Sequence, residues 1–249
     1  MRIDFNCDLG EGCGDDAAII PLVTSASIAC GAHAGDEATM RATLRLCREH
    51  GVAAGAHPGY ADRANFGRVE LPLPPAEIER MVAAQIATLA AIAASEGMRL
   101  AHVKPHGALY NVAARDRVVA DAIAAAVARF DPRLILFGLS GSQLTAAGEA
   151  AGLRVAHEVF AERRYEAQGT LTPRSRDDAV IHGLDEAIAQ VRGFVREQAV
   201  TARTGERLAL RADTLCLHGD RADAAQFARA IRDALHVDGV DILPVGAIA

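Results

Sequence analysis

Seven short β-like runs, each followed by a helix-like run, constrain this 249-residue chain more than any other feature. The strand candidates are residues 2–7, 25–30, 52–56, 101–104, 134–137, 154–157 and 214–217. Between them, apolar residues recur at helical spacing. Met40, Leu44 and Cys47 form one stripe, ended by Gly51. Ile78, Met81/Val82, Ile86, Leu89 and Ile92 form a second, opened by Pro74-Pro75 and closed by Gly97. Phe227, Ile231 and Leu235 form a third. Strands alternating with helices imply parallel strands joined by right-handed crossovers. Seven such repeats in a chain of this length predict an irregular seven-stranded (β/α) barrel, with a doubly wound open sheet as the alternative. No linker or composition shift divides the chain, so residues 1–249 are read as one domain. The polar stretch 159–176 reads as an insertion of the kind that forms a lid over a site.

The titratable residues fall at one end of these repeats. C-G-A-H-A-G-D (30–36) and A-G-A-H-P-G-Y (54–60) echo each other and place His33 and His57 just after successive strands. H-G recurs at 106–107 and 218–219, and Asp8 follows the first strand. Asp8, His33, His57, Lys104, His106 and His218 therefore map to carboxyl ends of strands, which converge on one face of a parallel barrel. In H-V-K-P-H-G-A-L-Y-N (102–111), period-two alternation puts His102, Lys104 and His106 on one side. A buried lysine there calls for an anionic partner. His102, at the strand's start, reads as a core histidine bonded to a carbonyl. Asp36 and Asp220 precede helices and double as N-cap candidates. His50 and His236 close helices and read as surface residues, and His182 as structural.

Composition narrows the partners. A net charge of −6 with no lysine/arginine run excludes a phosphate-backbone footprint, so nucleic acid is not an expected partner. The longest uncharged stretch, 17–35, is broken by Pro21 and Gly31 and does not read as a membrane span. Asn6, Asp8 and Glu11 interrupt the place of an apolar signal segment. Five cysteines without a C-x-x-C suit reduced thiols in the cytoplasm. G-E-G-C-G (10–14) matches neither phosphate-loop fingerprint, and neither a G-x-S-x-G elbow nor an H-E-x-x-H signature is present. A divalent metal held by Asp8, His57 and His106 is compatible with their donor types.

Five motifs in order, N-C-D-L-G-E-G (6–12), I-A-C-G-A-H-A-G-D (28–36), G-A-H-P-G-Y (55–60) with F-G-R (66–68), H-V-K-P-H-G-A-L-Y-N and H-G-D (218–220), resemble the LamB/YcsF family. One departure is F-A-E-R-R-Y at 160–165, where the family often has aspartate in place of Glu162. The resemblance implies a barrel of the glycoside hydrolase/deacetylase kind. It implies ATP-dependent opening of 5-oxo-L-proline to L-glutamate by the A subunit of a 5-oxoprolinase, working with subunits B and C. ATP with Mg2+ is then the co-substrate, bound either here or through a partner, and a homo-oligomer is compatible with the same reading.

An unactivated lactam needs a cation for developing negative charge, for which Lys104 is the candidate. It also needs a base for water and an acid for the departing nitrogen, sought among Asp8, Glu11, His57 and His106. His33, Arg164, His218 and Asp220 are candidates to position the substrate. On this reading Lys104→Ala loses turnover and keeps the fold. The rivals are a stand-alone metal-dependent amidohydrolase or deacetylase, and a non-catalytic subunit that only binds the lactam.

Overall fold

The computed structural model describes residues 1–13, 15–219 and 223–247. Six strands follow in spatial and chain order: β1 (Arg2–Leu9), β2 (Ser25–Ala29), β3 (Ala53–His57), β4 (His102–Val103), β5 (Ile135–Leu139) and β6 (Val155–Phe160). After an antiparallel hairpin of β7 (Ala199–Thr201) and β8 (Arg207–Ala209), β9 (Thr214–Cys216) pairs in parallel with both β6 and β1. That double pairing closes a seven-stranded parallel barrel and rules out the open sheet. A short β10 (Asp241–Ile242) pairs with the start of β1.

All seven strand candidates are barrel strands. Their limits differ: β1 continues to Leu9, β6 continues to Phe160, and β4 shrinks to two residues, His102–Val103. The insertion therefore begins at Ala161 rather than at Val159.

Period-two alternation sorts the two faces of the barrel wall. Phe5, Cys7, Leu9, Ile28, Val103, Leu136 and Leu215 join the main apolar core with the surrounding helices. The opposite face of the same strands carries buried polar residues: Asp4, Asn6, Asp8, Ser25, Ser27, His102, Glu158 and Thr214. A buried donor or acceptor without a partner costs about 1–3 kcal/mol, so these groups pair across the lumen. Asp4 accepts from the hydroxyls of Thr24, Ser25 and Thr214. Burial lifts its pKa to about 6 although those three hydroxyls pull the other way. His102 lies beside the Ser27 hydroxyl (3.2 Å) rather than a carbonyl, and its ring stacks on Phe137 at 4.2 Å. Gly55 makes room for it, since a Cβ there would sit 2.3 Å from the ring.

The helices are α1 (Asp16–Ile19), α2 (Glu37–His50), α3 (Pro75–Ser95), α4 (Gly107–Arg115), α5 (Arg117–Phe130), α6 (Gln143–Ala150), α7 (Leu184–Arg192) and α8 (Ala224–Val237). Asp36 caps α2 by accepting from the Thr39 amide at 2.8 Å, and Gly51 ends it at a φ of 68°. Pro75 opens α3, where its missing N–H costs nothing. By length and composition α3 could cross a membrane, but its Ile78, Val82, Ile86 and Leu89 are buried in the core.

Candidate active site

The strands end around one cavity of about 480 Å³, whose lining includes Asp8, Glu11, His57, Lys104, His106 and His218. Asp8 is the penultimate residue of β1, His57 ends β3, Lys104 follows β4, and His106 stands at the N-cap of α4. Parallel pairing with matched strand ends is what aligns residues that lie far apart in sequence. His33 lies behind this wall, its ring stacked on His106 at 3.7 Å with the planes 3° apart.

Lys104 does find anionic partners. Its Nζ lies 2.8 Å from Asp8 Oδ1 and 2.7 Å from Glu158 Oε1, and it donates to Asn6 Oδ1 (3.2 Å) and Cys216 Sγ (3.1 Å). Burial alone would favour a neutral amine, but Asp8, Cys216 and Glu158 raise its pKa well above the usual lysine value. Burial pushes the Asp8 carboxyl upward too. The His57 ring and the Lys104 ammonium outweigh it and hold Asp8 well below the usual carboxylate range. Asn6 also donates to Glu158 and Thr214, and Tyr110 donates its hydroxyl to Glu158 Oε2 at 2.7 Å. The N-C-D and A-L-Y segments thus hold one buried carboxylate–lysine network in place.

Hydrogen bonds fix the histidines. His57 Nδ1–H donates to the Lys104 carbonyl at 2.8 Å, and His106 Nε2–H donates to the Phe66 carbonyl at 2.9 Å. Their other nitrogens, His57 Nε2 and His106 Nδ1, meet at 2.9 Å. Around that contact stand Asp8 Oδ2, 3.4 Å from His57 Nε2, and Glu11 Oε1, 3.3 Å from His106 Nδ1. Burial lowers the His57 pKa, but the charges of Asp8 and Glu11 reverse this and leave it raised. Burial and its histidine neighbours keep His106 neutral, and burial draws His33 down to about 3. The F-G-R segment serves this cluster. Phe66 sits at a φ of 55°, a left-handed conformation costing on the order of 1–2 kcal/mol, and so presents its carbonyl to His106. Gly67, at a φ of 62°, passes so close that a Cβ would lie 2.9 Å from His33.

The insertion after β6 covers one side of the cavity. Arg163, buried, lines the cavity with Thr172 and Arg174 and ties the insertion together by donating to the Thr172 and Ala179 carbonyls. Burial and the nearby Arg174 charge lower its pKa to about 10. Glu162 is buried and pairs with His218 Nδ1, whose charge outweighs burial and lowers the carboxyl pKa. His218 Nε2 lies 3.9 Å from Asp8 Oδ2. Arg164 instead pairs with Glu186 at 2.6 Å and is absent from the cavity wall; its neighbour Arg163 occupies that place. Asp220 lies outside the described residues.

Sequence reasoning missed Glu158, Arg163, Tyr110 and Cys216. Glu158 carried a signal: it is the one acid among the apolar residues of β6, two positions from Phe160 on the inward face. Arg163 and Arg164 are adjacent, and nothing in R-R alone says which one turns inward. Glu11, His33, His57 and His106 present ligand atoms close enough to share one metal ion; so do Asp8, Cys216 and His218.

This chain is similar to known proteins over nearly all its length. A Bordetella pertussis protein named as a 5-oxoprolinase A subunit is 54% identical over 245 residues, 96% of this chain and 97% of the relative. A Bordetella bronchiseptica protein, likewise named as a 5-oxoprolinase A subunit, is 53% identical with the same coverage. The crystal structure of the lactam utilization protein from Thermus thermophilus superposes with a TM-score of 0.91 at 45% identity, covering 98% of this chain and 99% of that one. The sequence pattern of the LamB/YcsF family matches residues 3–249, and the chain belongs to that family.

Proposed function

We propose that this chain is the A subunit of a cytoplasmic, ATP-dependent 5-oxoprolinase. It hydrolyses the ring amide of 5-oxo-L-proline to give L-glutamate, together with subunits B and C and with ATP·Mg2+ handled by the complex. The observation that carries the reading is the cluster of buried Asp8, His57 and His106 with half-buried Glu11, opening into a cavity that also holds Lys104 and Arg163. Relatives named for this activity support it.

The substrate is an anion, and the cavity answers with Arg163 and Arg174, which suit its carboxylate or a phosphoryl group added to the lactam oxygen. The lactam oxygen takes the terminal phosphoryl group of ATP, releasing ADP. One water adds to the ring carbon, the C–N bond breaks as the nitrogen takes up a proton, and a second water hydrolyses the resulting acyl phosphate to L-glutamate and phosphate. Glu11, at the cavity and 3.3 Å from His106 Nδ1, is placed to accept the proton from water. His57, held beside Asp8 and Glu11, is the proton reservoir for the departing nitrogen. Lys104 directs its protons at groups of the protein, so its charge acts through Asp8 rather than on the substrate.

Combining the chain with B and C, ATP, magnesium and 5-oxo-L-proline should release glutamate, and omitting this chain or ATP should abolish it. Glutamate release without ATP or partners would instead favour a stand-alone metal-dependent amidohydrolase. The convergence of Glu11, His57 and His106 on one point is what keeps that second reading in view.

A further inference from the structure

We propose that this chain binds one divalent transition-metal ion between His57 and His106, with Glu11 as a carboxylate ligand. This goes beyond the lactam reading and does not depend on it. The rings of His57 and His106 face each other. Each spends its outer N–H on a backbone carbonyl, His57 on Lys104 and His106 on Phe66. A carbonyl only accepts, so each outer nitrogen carries a proton. In the neutral rings both inner nitrogens are then lone pairs, and they face one another at 2.9 Å. Two lone pairs at that separation repel unless one electron-poor centre sits between them, either a proton or a metal.

The surrounding atoms fit a metal. Zinc-like ions hold nitrogen and oxygen at about 2.0–2.2 Å, so ligands at 90–110° from each other stand about 2.9–3.4 Å apart. Here the inner nitrogens are 2.9 Å apart, Glu11 Oε1 is 3.3 Å from His106 and 3.8 Å from His57, and Asp8 Oδ2 is 3.4 Å from His57. The outer partners match as well, because metal-bound histidines give their other N–H to a carbonyl that fixes the ring. His33 plays that part for the carboxylate, its Nε2 standing 3.3 Å from Glu11 Oε1. Its Nδ1 is buried without a partner among the described residues, so the neutral ring carries its proton on Nε2 and gives it to Glu11. His33 is therefore a positioning residue. Two imidazoles with carboxylates suit zinc, cobalt, manganese or iron rather than magnesium or calcium.

The second convergence, Asp8–Cys216–His218, is different. The Lys104 ammonium lies 2.8 Å from Asp8 and 3.1 Å from Cys216, where a cation would have to be. That leaves Asp8 Oδ2 as the one oxygen of that carboxylate turned to the proposed site. A metal and the His57 proton exclude each other, and an ion held by Glu11 and His57 would take the place of the acid–base pair of the lactam reading.

Tag-free chain, stripped with chelator, reloaded with Co2+ and desalted, provides the test. The proposal predicts about one cobalt per chain with the visible absorption of a nitrogen- and oxygen-ligated ion. His106→Ala and Glu11→Gln should retain less than about a tenth of it, and His33→Gln should weaken binding by about 10–100-fold. The surface variant His236→Gln should bind as the wild type does. Wild-type chain that retains no Co2+, Zn2+ or Mn2+, or His106→Ala that retains all of it, overturns the proposal. Should those variants not fold, X-ray absorption of the wild-type cobalt form decides. Imidazole scattering supports the site, and a thiolate ligand or no imidazole refutes it.

Discussion

Lys104 shows how far a residue's neighbours decide what it can do. Its ammonium is almost enclosed by Asp8, Glu158, Asn6 and Cys216, so removing it strands two buried carboxylates. The expectation that Lys104→Ala would spare the fold does not survive this geometry. Lys104→Met should cost about 3–5 kcal/mol, measurable by denaturant unfolding, since breaking a buried pair leaves an uncompensated charge. A loss below about 1 kcal/mol would mean that the network is far more solvated than its burial indicates. His102 gives the pH counterpart. Burial, aided by the charges of Lys104 and His57, holds its pKa at about 3, against 6.5 when unfolded. The unfolded chain therefore binds the proton first. The stability His102 contributes is fully present above about pH 6.5 and is lost as pH falls toward 3. Unfolding free energy should drop less steeply in His102→Gln than in the wild type across that window, by up to about 1.4 kcal/mol per pH unit. Identical slopes would show that the fold does not lower the pKa of this ring.

The elements were legible where local pattern and tertiary demand agree. All seven barrel strands were readable because each is a short apolar run followed by a turn, and α2, α3 and α8 because their stripes match one buried face. Three things escaped. The hairpin β7–β8 packs as a small two-stranded sheet outside the barrel; its strands are three residues each, and only Ala199 and Val200 of them are buried, too short a run to mark it in sequence. The limits of β6 were set by pairing with β9, a partner far along the chain. The inward column from Asp4 to Glu158 reads as scattered polar residues until closure brings the strands together. Gly55 tests that column, because its missing Cβ is the space His102 fills. Gly55→Ala should destabilise by about 1–3 kcal/mol, and His102→Ala in the same chain should recover part of the loss. Additive losses would place the strain elsewhere. The insertion makes a separate prediction. Arg163 both faces the cavity and holds Thr172 and Ala179, so Arg163→Met should raise KM for an anionic substrate and speed proteolysis within 166–178. A raised KM without faster proteolysis would confine Arg163 to binding.

For the whole molecule, the barrel explains why the site could be read in outline from sequence and not in detail. Strand-end placement located Asp8, His57, Lys104, His106 and His218, since parallel strands in register deliver their carboxyl ends to one face. It could not show which nitrogen of each histidine points inward, nor that Arg163 rather than Arg164 faces the cavity; those follow from backbone carbonyls and loop paths. Under the proposed function the chemistry happens in this chain and not only on its partners. The most direct measurement is glutamate release by the complex of B and C with wild-type chain or with His57→Gln/His106→Gln, assembly being checked by gel filtration. An assembled variant complex should lose at least about 100-fold in rate, the scale of lost acid–base catalysis. An assembled variant complex that binds 5-oxo-L-proline and releases glutamate at the wild-type rate would move the chemistry to a partner and leave this chain a binding subunit.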